Sequence, residues 1–96
     1  MNTTQPDLLV SGQPGRSDVA KLAGAIASIL RENSACTVQA MGDTAVNRAV
    51  KAIIVANGYV SASGFEIIDR KHFVTVYIEG EERTAIRFNC QMVEKK

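Results

Sequence analysis

The chain reads as an α/β protein: a two-layer sandwich of order β-α-β-α-β-β, with a mixed four-stranded sheet and two helices on one face. Three observations predict it. Two stretches repeat apolar residues every three or four positions, the spacing of an amphipathic helix. Each follows a short segment of strand length. The last third alternates apolar and polar residues on both sides of Gly80, as a long hairpin does. Strands that alternate with helices need right-handed crossovers, and these gather both helices on one sheet face.

Met1 to Pro6 is polar and ends in proline, so a flexible tail is expected over 1–6 and a single domain over 7–96. Leu8 to Val10 is a short apolar strand closed by Ser11-Gly12-Gln13-Pro14-Gly15. Ser17 is expected to cap the first helix, with Asp18 in its first turn, where the helix dipole favours a carboxylate. Val19, Leu22, Ala23, Ile26, Ile29 and Leu30 form the apolar stripe, and Asn33 is expected to stop the helix. The second strand spans Ala35 to Ala40. Gly42 then takes a tight turn, and Asp43 or Thr44 accepts the first helical amide protons. The second helix is expected from Asp43 to Ala56, with a stop at Asn57-Gly58.

Phe65 and Ile67 open the third strand, which Asp69-Arg70-Lys71-His72 is expected to interrupt as a polar bulge or bend. Val74, Val76 and Ile78 resume the alternation, and Gly80-Glu81-Glu82 turns the chain. Ile86, Phe88, Cys90 and Met92 carry the apolar phase back.

Composition narrows the function classes. Ninety-six residues make one domain with one core, and five aromatics leave the core volume to Val, Ile, Leu and Ala. Eleven basic and ten acidic residues are interspersed, for a net charge of +1. That counts against simple bulk coating of nucleic acid, for which a stronger excess of Lys and Arg is usual, and leaves room for a local basic face. Cys36 and Cys90 fall at apolar-phase strand positions without a Cys or His at metal-ligand spacing. Buried, inert thiols are expected, with no metal and no cofactor. No apolar run approaches the roughly 18 residues of a membrane span. MNTTQPD has neither a basic region nor a cleavable apolar segment, so a cytoplasmic location with no membrane partner is expected. The single histidine, His72, sits among charges, and no P-loop or paired-carboxylate motif occurs. The chain is expected not to be an enzyme and to have no catalytic residues.

Two stretches carry more. Gln39 to Ala52, QAMGDTAVNRAVKA, couples a strand to a glycine turn and a helix, whose amide donors can hold an anion. Ile78 to Arg87 reads IEGEERTAIR. Together they resemble the stage V sporulation protein S family, whose members carry Q-A-x-G, A-x-N-x-A-V-K-A and G-E-E-R-T-A-I runs in this order. The resemblance extends from about Leu8 to Val93. That family is similar in fold to Alba, a small chromatin-associated nucleic-acid-binding protein, so the resemblance implies an Alba-like fold.

It also implies a place for contact with DNA or RNA. In Alba the loop before the first helix bears lysines that approach the DNA backbone; Gln13 and Arg16 stand in that region here. Asn47, Arg48 and Lys51 lie on the second helix, and they join Gln13 and Arg16 only if the two strand-to-helix turns sit side by side. Contact there would be with phosphate and independent of sequence. Ala45, Ala49, Ala52 and Ala56 form a row of small residues, open to two readings: tight packing within the subunit, or part of a homodimer surface shared with the hairpin. Alba-type hairpins are basic, whereas Glu79, Glu81 and Glu82 outnumber Arg83 at this tip. Such a tip repels a phosphate backbone and suits a protein partner. Two functions stay open: a non-catalytic, dimeric, nucleic-acid-binding regulator linked to sporulation or development, and a protein-interaction or assembly factor that keeps the fold without useful nucleic-acid affinity.

Overall fold

Six elements follow one another in the computed structural model, which describes residues 5–13 and 18–95. They are β1 (Leu8–Val10), α1 (Val19–Asn33), β2 (Ala35–Ala40), α2 (Asp43–Ser61), β3 (Phe65–Ile78) and β4 (Glu81–Glu94). The sheet order is β1-β2-β4-β3; β1 and β2 are parallel, and the other two ladders are antiparallel. Parallel neighbours need a crossover, and α1 supplies it. The architecture is the expected two-layer sandwich with a mixed sheet.

Alternation decides which face the helices cover. Val10, Cys36, Val38, Ala40, Phe88 and Cys90 are buried in one cluster with Ile26 and Leu30 of α1 and the alanines of α2. Residues paired across strands share a face, so Gln39, Arg87 and His72, which are cross-strand neighbours, lie on the opposite, open side. β3 and β4 also outrun β2. The pairs from Val74↔Ala85 to Ile78↔Glu81 have no third strand beside them, and they form a projecting arm.

Several local expectations are corrected. Asp18 is the N-cap of α1, and its carboxylate accepts from the Ala20 N–H at 2.9 Å; Ser17 lies outside the described residues. The left-handed residue that ends α1 is Ser34 (φ 65°), one beyond Asn33, with its N–H on the Leu30 carbonyl at 2.7 Å. No side chain caps α2, whose N-cap is Gly42, and Asp43 is its first residue. α2 runs through Asn57-Gly58 to Ser61 because Val60 is buried a turn beyond Ala56. Asn57 is used differently: its side-chain oxygen accepts the outward N–H of Ile67 on the edge strand β3 at 2.8 Å.

β3 has no interruption at Asp69-Arg70-Lys71-His72; it pairs residue for residue with β4 from Phe65↔Glu94 to Ile78↔Glu81. The alternation absorbs the charges. Asp69 and Lys71 share a face and pair at 2.9 Å, with the Lys71 ammonium 5.9 Å from the centre of the Phe88 ring. Arg70 and His72 point to the open side. The turn is Glu79-Gly80, with φ of 52° and 79°, the two left-handed residues of a tight hairpin. Glu81 and Glu82 are therefore strand residues, and Glu81 accepts from Arg83 Nη2 at 2.8 Å.

Candidate nucleic-acid interface

β1 and β2 are adjacent and parallel, so both chains leave the sheet at the same edge before turning into α1 and α2. Arg48, in the second turn of α2, reaches back across this edge. Its Nη1 donates to the Ser11 carbonyl at 2.7 Å and to the Gln13 carbonyl at 2.8 Å. Gln13 N–H donates to Ser11 Oγ at 3.0 Å, which folds the loop on itself. Gly12 lies against the start of α2, where an added side chain would meet Ala45 N at 3.6 Å. The two turns are thus side by side, which is the arrangement the patch requires.

Gln13, Asn47 and Lys51 are exposed, and Arg48 is half-buried. Arg16 lies outside the described residues. Arg48 therefore has a structural task that its spacing does not reveal: it staples the first loop to the second helix. The amino terminus of α2 has exposed Gly42, Asp43 and Thr44 around its first free N–H groups. Asp43 places a carboxylate there, which opposes an anion and leaves the cationic work to Lys51 and Arg48.

The alanine row is not a surface. Ala45, Ala49, Ala52 and Ala56 are all buried within the single chain, in the core shared with α1 and the sheet. Small side chains here let α2 approach its own neighbours closely, and this overturns their assignment to a dimer interface. On the opposite side of the helix Val50 and Ile54 are exposed, and on β3 Phe73, at the base of the arm, and Tyr77, on it, are 75% and 70% exposed. The i, i+4 pair Val50 and Ile54 falls half a turn from the alanine row, a signal present in the sequence.

The open sheet face holds a pair the sequence reading missed. Gln39 and Arg87, directly opposite each other in β2 and β4, are buried although no helix covers them. Cys36 and Cys90 are also cross-strand partners, free thiols on the covered face. Burial pushes both up to about 12; the neighbouring Cys90 thiol and the Asp7 carboxylate add to this for Cys36, and the Asp69 carboxylate adds to it for Cys90. Among the described residues no group of His, Cys, Asp or Glu is arranged to hold a metal ion, and no helix is long and apolar enough to cross a membrane.

The fold is shared with Alba from Thermoplasma volcanium, at 13% identity and a TM-score of 0.57, over 91% of this chain and 98% of that one. At that identity the likeness is one of architecture. The family model described as stage V sporulation protein S matches residues 7–93, nearly the whole chain, including the strand-turn-helix and hairpin runs that build the edge and the arm. The chain belongs to the stage V sporulation protein S family.

Proposed function

We propose that this protein is a non-catalytic regulator, linked to sporulation or development, that acts in the cytoplasm as a dimer and binds nucleic acid through backbone phosphate. The contact is assigned to Gln13, Arg16, Asn47, Arg48 and Lys51 at the loop–helix edge. One observation carries this reading: Arg48 holds the two strand-to-helix turns side by side, so that Gln13, Asn47 and Lys51 are presented along one edge. Phosphate contacts of this kind position a duplex without reading its bases. The dimer surface is assigned to the outer side of α2, with Val50 and Ile54, and to the arm and its base, with Tyr77 and Phe73.

Fluorescence anisotropy with duplex DNA, single-stranded DNA and RNA at two salt concentrations tests the first part. A few contacts predict a shallow slope, near 0.9 log units per phosphate for duplex DNA. Sedimentation at tens of micromolar tests the second, and a monomer would count decisively against it.

A second reading is favoured by the arm: the exposed Tyr77 stands opposite Glu82 and near Glu79 and Glu81, with the exposed Phe73 at the arm's base, a composition suited to a protein partner. Absence of nucleic-acid binding even at low salt would leave the assembly-factor function in its place.

A further inference from the structure

We propose that the open face of the sheet is a binding site for a phosphate monoester, centred on Arg87 and separate from the loop–helix edge. Arg87 is 9% exposed on a face that carries no helix. Its Nε and Nη2 both donate to Gln39 Oε1, at 3.0 and 2.6 Å. Among the described residues no carboxylate lies within ion-pair distance of it. A guanidinium has five N–H donors and keeps its charge, so one neutral amide oxygen leaves both its charge and its donor capacity unmatched.

The groups around Arg87 are donors too. The oxygen of Gln39 is turned to Arg87, which leaves the Gln39 amide N–H groups for another acceptor. His72 is the cross-strand neighbour of Arg87 in β3, and Asn89 Nδ2 lies 3.0 Å from its Nδ1. With the amide nitrogen donating to Nδ1, the ring's Nε2 is the nitrogen left to donate to a ligand. Arg70 stands opposite Asn89 and is exposed. The Asp7 carboxylate, just before β1, already accepts from the Thr37 N–H at 2.8 Å and from its hydroxyl at 3.3 Å. Gln39, Arg87 and His72 are successive neighbours about 5 Å apart, within reach of one phosphate group and its ester oxygen.

A row of donors with fixed positive charge selects a ligand that only accepts, and two guanidiniums suit a dianionic monoester better than a carboxylate. There is room for its organic part. Gln5, Pro6, Gln39 and Arg87 line a groove of about 360 Å³, and a second hollow of about 670 Å³ lies over Thr37, Asn89, Arg70 and His72. The same chemistry is offered by a free monoester and by the terminal phosphate of a nucleic-acid strand.

Amide NMR titration of the full chain separates these sources, using inorganic phosphate, a nucleoside 5′-monophosphate, and one oligonucleotide with and without a 5′-phosphate. Saturable shifts at Gln39, Arg87 and His72 with the first two are expected. A free monoester as the source requires that the oligonucleotide leave these amides unmoved in either form; shifts only with the 5′-phosphorylated strand would assign the site to strand ends. Arg70→Ala, at an exposed position, is expected to weaken the monophosphate about tenfold. Arg87→Met should abolish the response; if that chain fails to fold, Arg70→Ala decides. No saturable shift at these amides, equal shifts from chloride at matched ionic strength, or equal shifts from internal phosphodiesters would overturn the proposal. The loop–helix edge is read separately, at Asn47 and Lys51, so its failure and this one are distinguishable.

Discussion

The two faces of this sheet are made by the same four strands and have opposite characters. In β4, Phe88 is fully buried under the helices, while its neighbours Arg87 and Asn89 face the open side. In β2, Cys36, Val38 and Ala40 join the core, while Thr37 and Gln39 bind Asp7 and Arg87. In β3 the polar run Asp69 to His72 is divided between the faces, two residues to each. A strand period of two lets one stretch of sequence build a core and a polar surface together. The face that the core does not need is where charge and donors collect.

The sharpest way to break this contrast is to place charge on the covered side. Ala52 is completely buried, so Ala52→Glu puts an unpaired carboxylate in the core at a cost of several kcal/mol. Total stability is only about 5–15 kcal/mol, so loss of the cooperative thermal transition by circular dichroism is expected. A chain that melted normally but changed its oligomeric state would return the alanine row to the surface.

A milder comparison uses adjacent residues of β4. Phe88→Ala should cost about 3–5 kcal/mol by removing the largest fully buried side chain. Asn89→Ala, one residue on and facing out, should cost under about 1 kcal/mol in the same urea titration. Similar costs would mean that the two faces are not distinct.

The covered face was the legible one. The stripe Val19 to Leu30 and the alternation through Phe88 and Cys90 follow the period of their element, and hydrophobic burial enforces that period. Boundaries were less legible. Val60 draws α2 past Asn57-Gly58, and Asp18 displaces Ser17 as cap, because tertiary contacts and one hydrogen bond outweigh local preference. The open face was hardest to read. A charged run in one strand looks like a break until the ladder sends Asp69 to Lys71 and leaves Arg70 beside Asn89. Nothing local to Arg87 announces that Gln39, 48 residues away, will bury it. Arg48 shows the same limit: its spacing marks a surface helix, whereas its partners are carbonyls 35 and 37 residues earlier.

The thiols sharpen the comparison by pH. Cys36 and Cys90 have an ordinary value of 9.0 and are raised to about 12 when folded, chiefly by burial. Above pH 9 the unfolded chain releases these protons while the folded chain keeps them. Stability is therefore full below about pH 9 and declines as pH rises toward 12. The decline should be about 1 kcal/mol per thiol between pH 9 and pH 10. Denaturant titrations across this range check it, with Cys36→Ala/Cys90→Ala as the control in which this part of the slope disappears.

The smallest effect expected is at the edge, where Arg48 and Lys51 separate structure from charge. Arg48→Ala removes the donor that joins the Ser11 and Gln13 carbonyls to α2, and should cost about 1 kcal/mol, since water can replace part of that contact. Lys51→Ala, at an exposed side chain, should stay within about 0.5 kcal/mol. Arg48→Lys is the decisive variant. It keeps the positive charge but lacks the planar fork that meets two carbonyls at once. A staple predicts that Arg48→Lys loses nearly as much stability as Arg48→Ala in urea unfolding. A charge that serves only phosphate predicts no loss of stability. For nucleic-acid binding the order reverses: Arg48→Lys should retain the salt slope, while Lys51→Ala should lower it by about 0.9 log units for duplex DNA. Identical behaviour of Arg48→Lys and the unmodified chain in both measurements would show that the loop and helix meet without this side chain, and that the edge is held by the packing of Gly12 against α2 alone.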